Sequence, residues 1–256
     1  MFTPLQQREI FHLIFLRHLT RRLKPNTYAL KGGSNLRFFF KSIRYSEDMD
    51  LDIKDIEVFK LKDIVMDILN SKILTTNLQP YQIDEIIPPN LKSAKQTETV
   101  QRFKVHLITA AREDLFTKVE FSKRKLENKF KVESVDSNIL QQYKQPPLLI
   151  SHYLPELGVL QKISALAQRS VTQARDVFDI FTLYPQVINQ FSDMKKGIKK
   201  GVLREASSAL FSIDYENYKN AVVSYLSEED QDYYKNKEVW EEMQNKVAEL
   251  MKKLQE

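Results

Sequence analysis

Cysteine is absent from this 256-residue chain, glycine occurs at only five positions and tryptophan at one. Without cysteine there is neither a disulfide framework nor a thiolate metal site. No apolar run approaches the roughly 18–20 residues needed to cross a bilayer, so no membrane partner is expected. The opening MFTPLQQREIFHLIF lacks the basic-then-apolar order and small-residue cleavage site of a secretory signal, and a cytoplasmic location is expected. The four histidines, His12, His18, His106 and His152, show no H-x-x-x-H or H-E-x-x-H spacing, and no G-x-S-x-G elbow occurs. Zincin and serine-nucleophile chemistry are thereby set aside, and the histidines read as surface or core residues.

What remains is a chain with 42% hydrophobic and 29% charged residues, enough to bury a sizeable core as one large domain or two small ones. A net charge of +5 and a pI near 9.1 are compatible with a polyanionic partner and decide little alone. Their distribution says more. Lys118, Lys123, Arg124, Lys125, Lys129 and Lys131 crowd into fourteen residues whose only acids are Glu120 and Glu127. That segment is either a solvated turn and helix face or a phosphate-facing patch.

Two of the five glycines are adjacent, Gly32 and Gly33, at the head of KGGSNLRFFFKSIRYSEDMDLDI, residues 31–53. Glycine permits positive φ and close approach to the backbone, which suits a turn that aims N–H groups at a phosphate. The pattern is not a Walker loop, because Lys31 precedes the glycines. A plain turn with Ser34 as N-cap of the helix NLRFFFKS explains the same residues. Phe38, Phe39 and Phe40 read as packing behind that turn rather than as a base-stacking platform, and Tyr45 is the better candidate to stack on a nucleobase.

Alternation then places Asp48, Asp50 and Asp52 on one face of a strand and Met49, Leu51 and Ile53 on the other, toward a core. Like charges so close repel unless a cation such as Mg²⁺ favours their ionised forms; a solvated acidic face is the alternative. An EF-hand fails, since Ile53 and Phe59 stand where the loop needs glycine and glutamate. In LFTKVEFSKRK, Lys118, Glu120 and Ser122 share one strand face, and Val119 and Phe121 the other. Beside the aspartates they would gather carboxylates and a cation as phosphoryl or nucleotidyl transfer requires. Periodicity alone leaves a plain amphipathic strand open.

Taken together, GGS, RYSEDMDLDI, KVEFSKR and KISALAQRSVTQARDVFDI resemble the nucleotidyltransferase toxins of the AbiEii/AbiGii family, relatives of the MenT toxins in the polymerase-β-like superfamily, over residues 28–184. The resemblance implies a nucleotide and metal site at Gly32, Gly33, Ser34, Asp48 and Asp50, with Ser46 lining it. It places Lys118 and Ser122 in a second motif whose arginine is Lys123 here, with Arg124 one place late. A third motif matches as Arg175, Asp176 and Asp179. On a helix these aspartates share a face, behind an arginine that can pair with a carboxylate or a phosphate; helix-surface ion pairing or capping is the alternative. Gln161, before Lys162, replaces an acid usual in the family, so a third metal carboxylate is assigned to Glu120, with Asp52 in reserve.

The expected architecture is α+β. A polymerase-β-like nucleotidyltransferase domain, a mixed sheet flanked by helices, spans residues 1–146, and an α-helical bundle domain spans 147–256. An amphipathic helix over 4–23, a helix over 58–73, strands over 81–87, 100–110 and 114–122, and helices over 154–169, 172–184, 203–211, 214–226 and 237–254 are predicted. The resemblance implies a nucleotidyltransferase toxin of a toxin–antitoxin or abortive-infection pair, dependent on Mg²⁺ or Mn²⁺. It would take an NTP, act on the 3′ end of tRNA or another RNA, or on a protein acceptor, and be neutralised by a cognate antitoxin. A non-catalytic nucleotide- or RNA-binding protein on the same fold is the alternative.

Overall fold

Thr3 and Gln6 close a reciprocal capping box over Pro4 and start helix α1, Pro4–Leu19, satisfying N–H groups that a helix start leaves open. Residues 9–16 of α1 are all buried. The expected amphipathic helix is therefore corrected to one enclosed through its centre and ending at Leu19. Enclosure makes the two polar groups within residues 9–16 find partners: Glu9 accepts from Arg37 Nε at 2.6 Å and from the Tyr143 hydroxyl at 2.7 Å, and His12 Nε2 meets Thr117 Oγ1 at 2.8 Å.

The computed structural model describes residues 1–90, 97–123, 126 and 129–256. Arg124, Lys125 and Glu127 of the basic segment lie outside them. Two compact units emerge, one of Met1–Phe39 with Tyr45–Tyr153 and one of Phe40–Arg44 with Leu154–Glu256.

In the first unit, strands β1 (Tyr28–Lys31), β2 (Asp48–Ile53), β3 (Ile83–Ile87), β4 (Val100–Thr109), β5 (Asp114–Lys123), β6 (Phe130–Ser134) and β7 (Leu149–Tyr153) form one sheet in the order β3-β4-β5-β2-β1-β7-β6. It is mixed: β2 runs parallel to β5 and β1 to β7, and the other pairs are antiparallel. β4 and β5 form an antiparallel hairpin, turning through Arg112 at φ +63°. Helices α2 (Gly32–Phe39), α3 (Val58–Leu69), α4 (Lys72–Leu78) and α5 (Ser137–Gln142) complete the unit. Met49, Leu51, Ile53, Phe103, Val105, Val119 and Phe121 join α1, α3 and α4 in one apolar core. The helix expected over 58–73 breaks in two at Asn70, whose amide donates to the Met66 carbonyl at 2.7 Å.

The second unit is helical: α6 (Pro155–Gln168), α7 (Ala174–Val187), α8 (Phe191–Lys196), α9 (Lys200–Leu210), α10 (Tyr215–Ala221), α11 (Glu228–Tyr234) and α12 (Lys237–Gln255). Its core includes Leu160, Ile163, Val177, Ile180, Leu203, Val247 and Leu250. The helix expected over 214–226 ends at Ala221, and the short α8 and α11 carry too few turns for periodicity to reveal them.

Candidate active site

The two motif strands lie side by side in the register their alternation requires. Asp48 pairs with Lys118, Asp50 with Glu120 and Asp52 with Ser122 across the parallel β2–β5 ladder. Their neighbours Met49, Leu51, Val119 and Phe121 are fully buried, so hydrophobic burial on one face fixes which residues the other face presents. Lys118 Nζ reaches Asp48 Oδ2 at 2.7 Å, and Glu120 binds the Arg102 guanidinium at 2.6–2.7 Å. Asp52 is buried, ion-paired with Lys31 and hydrogen-bonded by the Tyr153 hydroxyl at 2.9 Å. Ser122 also faces Lys31, at 3.3 Å.

The Asp50 side chain differs from its neighbours in having no hydrogen bond or ion pair among the described residues. Burial, followed by the nearby charge of Glu120 and Asp48, pushes its carboxyl above the usual range, against the pull of Lys31 and Lys118. The glycine turn explains its placement. Gly32 sits at φ +70°, and a Cβ there would lie 3.0 Å from Asp50 Oδ2. Glycine thus meets two demands at once, a left-handed backbone and close passage of a carboxylate.

Helix α2 begins at Gly32, so the expected N-cap role of Ser34 is corrected: Ser34 is inside the first turn, and its hydroxyl donates to the Asp48 carbonyl at 2.9 Å. Ser46 donates to the same carbonyl at 2.7 Å. Gly33 lies in that first helical turn. Tyr45, expected to offer a face to a nucleobase, is buried, with the Arg37 guanidinium 4.2 Å from its ring centre. Phe38 is in the core as expected, and Phe39 stacks on His152 with ring centres 3.6 Å apart.

Arg175, Asp176 and Asp179 belong to the second unit. Asp176 and Asp179 are fully buried on α7, and Arg175 is half-buried. Lys162 Nζ bridges Asp176 at 3.0 Å and Asp179 at 2.5 Å. Arg44 grips Asp179 through Nη2 at 3.0 and 3.2 Å. Arg169 Nε stands 2.9 Å from Asp176 Oδ2, in ion contact though not aligned as a hydrogen bond. Burial alone would push Asp179 up; the Arg44 and Lys162 charges overcome it and hold this carboxyl below its usual range. Lys162, which burial would lower, is raised by the same aspartates.

Two participants went unread in the sequence. Lys31 pairs in register with Asp50 across β1–β2, and Arg102 with Glu120 across β4–β5. Strand parity in YALK and VQRFKVHLIT carries the only signal for them. Among the described residues no three His, Asp or Glu side chains are disposed to hold a metal ion. Lys118 and Arg102 each hold one carboxylate oxygen, Asp48 Oδ2 and Glu120 Oε2, in an ion pair. The donor chemistry nevertheless suits a hard divalent cation, because Asp48 and Asp50 are carboxylates two apart on one strand face and Asp50 lacks a cationic hydrogen-bond partner.

A glycine turn, an alternating aspartate strand and an in-register lysine strand on a mixed sheet define a nucleotidyltransferase-like fold, and solved structures agree. The chain is similar to JHP933 from Helicobacter pylori, with TM-score 0.59 and 16% identity over 100% of this chain and 93% of the other. It is similar also to MenT4, a nucleotidyltransferase toxin from Mycobacterium tuberculosis, with TM-score 0.56 and 13% identity over 98% and 93%. No curated protein sequence matches it. The family model described as nucleotidyl transferase AbiEii toxin, type IV toxin–antitoxin system, matches residues 14–254. The chain belongs to the AbiEii nucleotidyltransferase toxin family.

Proposed function

We propose that the protein is a divalent-cation-dependent nucleotidyltransferase that moves a nucleotide from an NTP to the 3′ end of an RNA, tRNA foremost, as a toxin held in check by a cognate antitoxin. The observation that supports this most is the registered face Asp48–Lys118 and Asp50–Glu120 beside Gly32. Asp48 and Asp50, with Glu120, would hold Mg²⁺ or Mn²⁺. When bound, such an ion supplies charge neutralisation on the triphosphate and polarises the reacting phosphoryl oxygens.

The chain's own residues then divide the work. Lys118, drawn off Asp48, offsets phosphate charge. Gly32 and Gly33 present the N-terminal N–H groups of α2 to a phosphate. Ser34 and Ser46 hold the first residue of β2 in place through its carbonyl, a positioning role that fixes where the Asp48 carboxylate stands. Lys31 neutralises Asp52, so that this buried acid does not add a third repelling charge beside Asp50. Arg175, Asp176 and Asp179 are carried forward as residues that support nucleotide binding; the ion pairs of the two aspartates favour support through the shape of the second unit over direct contact.

The test is incorporation of each α-labelled NTP into total tRNA and into lysate protein, with Mg²⁺ or with EDTA, by the wild type and by Asp48→Ala. Label in RNA that EDTA and Asp48→Ala both abolish is the expected result. Wild-type toxicity that survives Asp48→Ala, without label in any acceptor, would favour a non-catalytic binder.

A further inference from the structure

The sheet face that carries the carboxylates continues across β5 and β4, and there its chemistry changes. Even-numbered residues face this side: Arg102, Lys104 and His106 on β4 stand in register with Glu120, Lys118 and Phe116 on β5. Phe116 is 56% exposed although Leu115 and Thr117 on either side are buried. Its ring is stacked on that of His106, with centres 4.5 Å apart and planes 23° apart. Both are held in place. Asp114 Oδ1 lies 2.6 Å from His106 Nε2, and Arg8 donates to the Phe116 carbonyl at 2.8 Å. Ile87 of β3, also exposed, is in register with His106.

One row nearer the carboxylates, Lys104 faces Lys118 across the ladder. Like charges directly opposite are unfavourable in a sheet. Asp48 compensates Lys118, whereas Lys104 is exposed and has no ion pair among the described residues. The face therefore reads, row by row, as stacked rings, then two lysines with Asp48, then Glu120 and Asp50 between Arg102 and Lys31. Successive rows are about 7 Å apart.

We propose that this strip is the track for the single-stranded 3′ end of the acceptor RNA, with Phe116 and His106 stacking a base and Lys104 meeting a backbone phosphate. The proposal rests on the nucleotidyl-transfer reading for the carboxylate end and extends it to a stretch of sheet that the motifs do not touch. Exposed rings on a sheet face bind bases that have left a helical stack, because each base offers a π-face. A duplex keeps its bases covered and would gain only the lysines. A protein partner would need a broader apolar patch than Phe116 and Ile87 provide between charged rows.

The experiment is fluorescence anisotropy on the full chain without NTP, using a labelled single-stranded RNA of mixed sequence and a blunt RNA duplex. Phe116→Ala is expected to weaken single-strand binding about tenfold or more and leave duplex binding unchanged, while Phe116→Trp retains affinity. Lys104→Gln is expected to lower the slope of log affinity against log salt by about 0.7. Phe116 is a surface residue, so an unchanged melting curve verifies that the variant is folded. Equal single-strand affinity for wild type and Phe116→Ala overturns the track, as does nucleotide transfer confined to a protein acceptor by a chain that binds no RNA. Phe116-dependent RNA binding by a chain that incorporates no nucleotide supports the track and removes the transfer reading, so the two can fail separately.

Discussion

Gly32 and Asp50 sit so close that a methyl group on the first would stand 3.0 Å from a carboxylate oxygen of the second. Gly32→Ala therefore meets two penalties. The left-handed backbone costs an L-residue about 1–2 kcal/mol, and the new Cβ crowds a carboxylate that has no side-chain hydrogen bond among the described residues to hold it. We expect a modest fall in the urea midpoint together with a loss of nucleotide transfer much larger than that fall explains. A variant with wild-type transfer would show that Asp50 tolerates the displacement and that its position is not critical.

The Arg44–Asp179 pair supplies a second prediction. Removing one partner of a buried ion pair typically costs about 3–5 kcal/mol, because it strands the other charge; here Lys162 still touches Asp179, so Arg44→Met is expected near the lower end. Asp179→Asn added to Arg44→Met should recover part of the loss. Urea titration of the two single variants and the double variant gives the coupling directly. Additive losses would mean that the contact contributes nothing of its own.

Acid stability gives a third. Burial, with Arg8 adding to it, drives the His12 imidazole down to about 3. Burial drives His152 down to about 4 although Glu133 pulls it the other way. In the unfolded chain both titrate near 6.5. Above that pH neither state holds the extra protons, and the contribution to stability is complete. As pH falls from 6.5 toward 4 the unfolded chain binds protons that the folded one refuses, so stability declines, by a few kcal/mol in all. The urea midpoint should drop between pH 7 and 4.5, and less so in His12→Gln. A midpoint constant across that range would mean the buried imidazoles accept protons without cost. Asp179, held low, loses its contribution only at more acidic pH, so it does not confuse this window.

Much of the site was legible because a strand has period two. DMDLDI and KVEFS each assign acids and cations to one face and apolar residues to the other, and the β2–β5 register joins them as alternation requires. What could not be read depends on strand order. That Asp52 is buried and neutralised by Lys31, or that Glu120 is gripped by Arg102, follows from which strands lie next to β2 and β5. Tyr45 misled for a similar reason: a tyrosine near a glycine turn reads as a stacking surface until Arg37 is found over its ring. The helix face shared by Asp176 and Asp179 was predictable. Its partner Arg44, 135 positions from Asp179, was not, because nothing local in either stretch points to the other.

Segment Phe40–Arg44 groups with the helical unit, yet the chain on both sides of it builds the sheet. Inheritance is constrained by that path. A gene fragment beginning at residue 154 would encode every helix of the bundle and still omit the guanidinium that balances Asp179 in its interior. The two halves are thus poorly suited to recombination as separate cassettes, and a swap between relatives would have to carry five residues from the N-terminal half along with the C-terminal one.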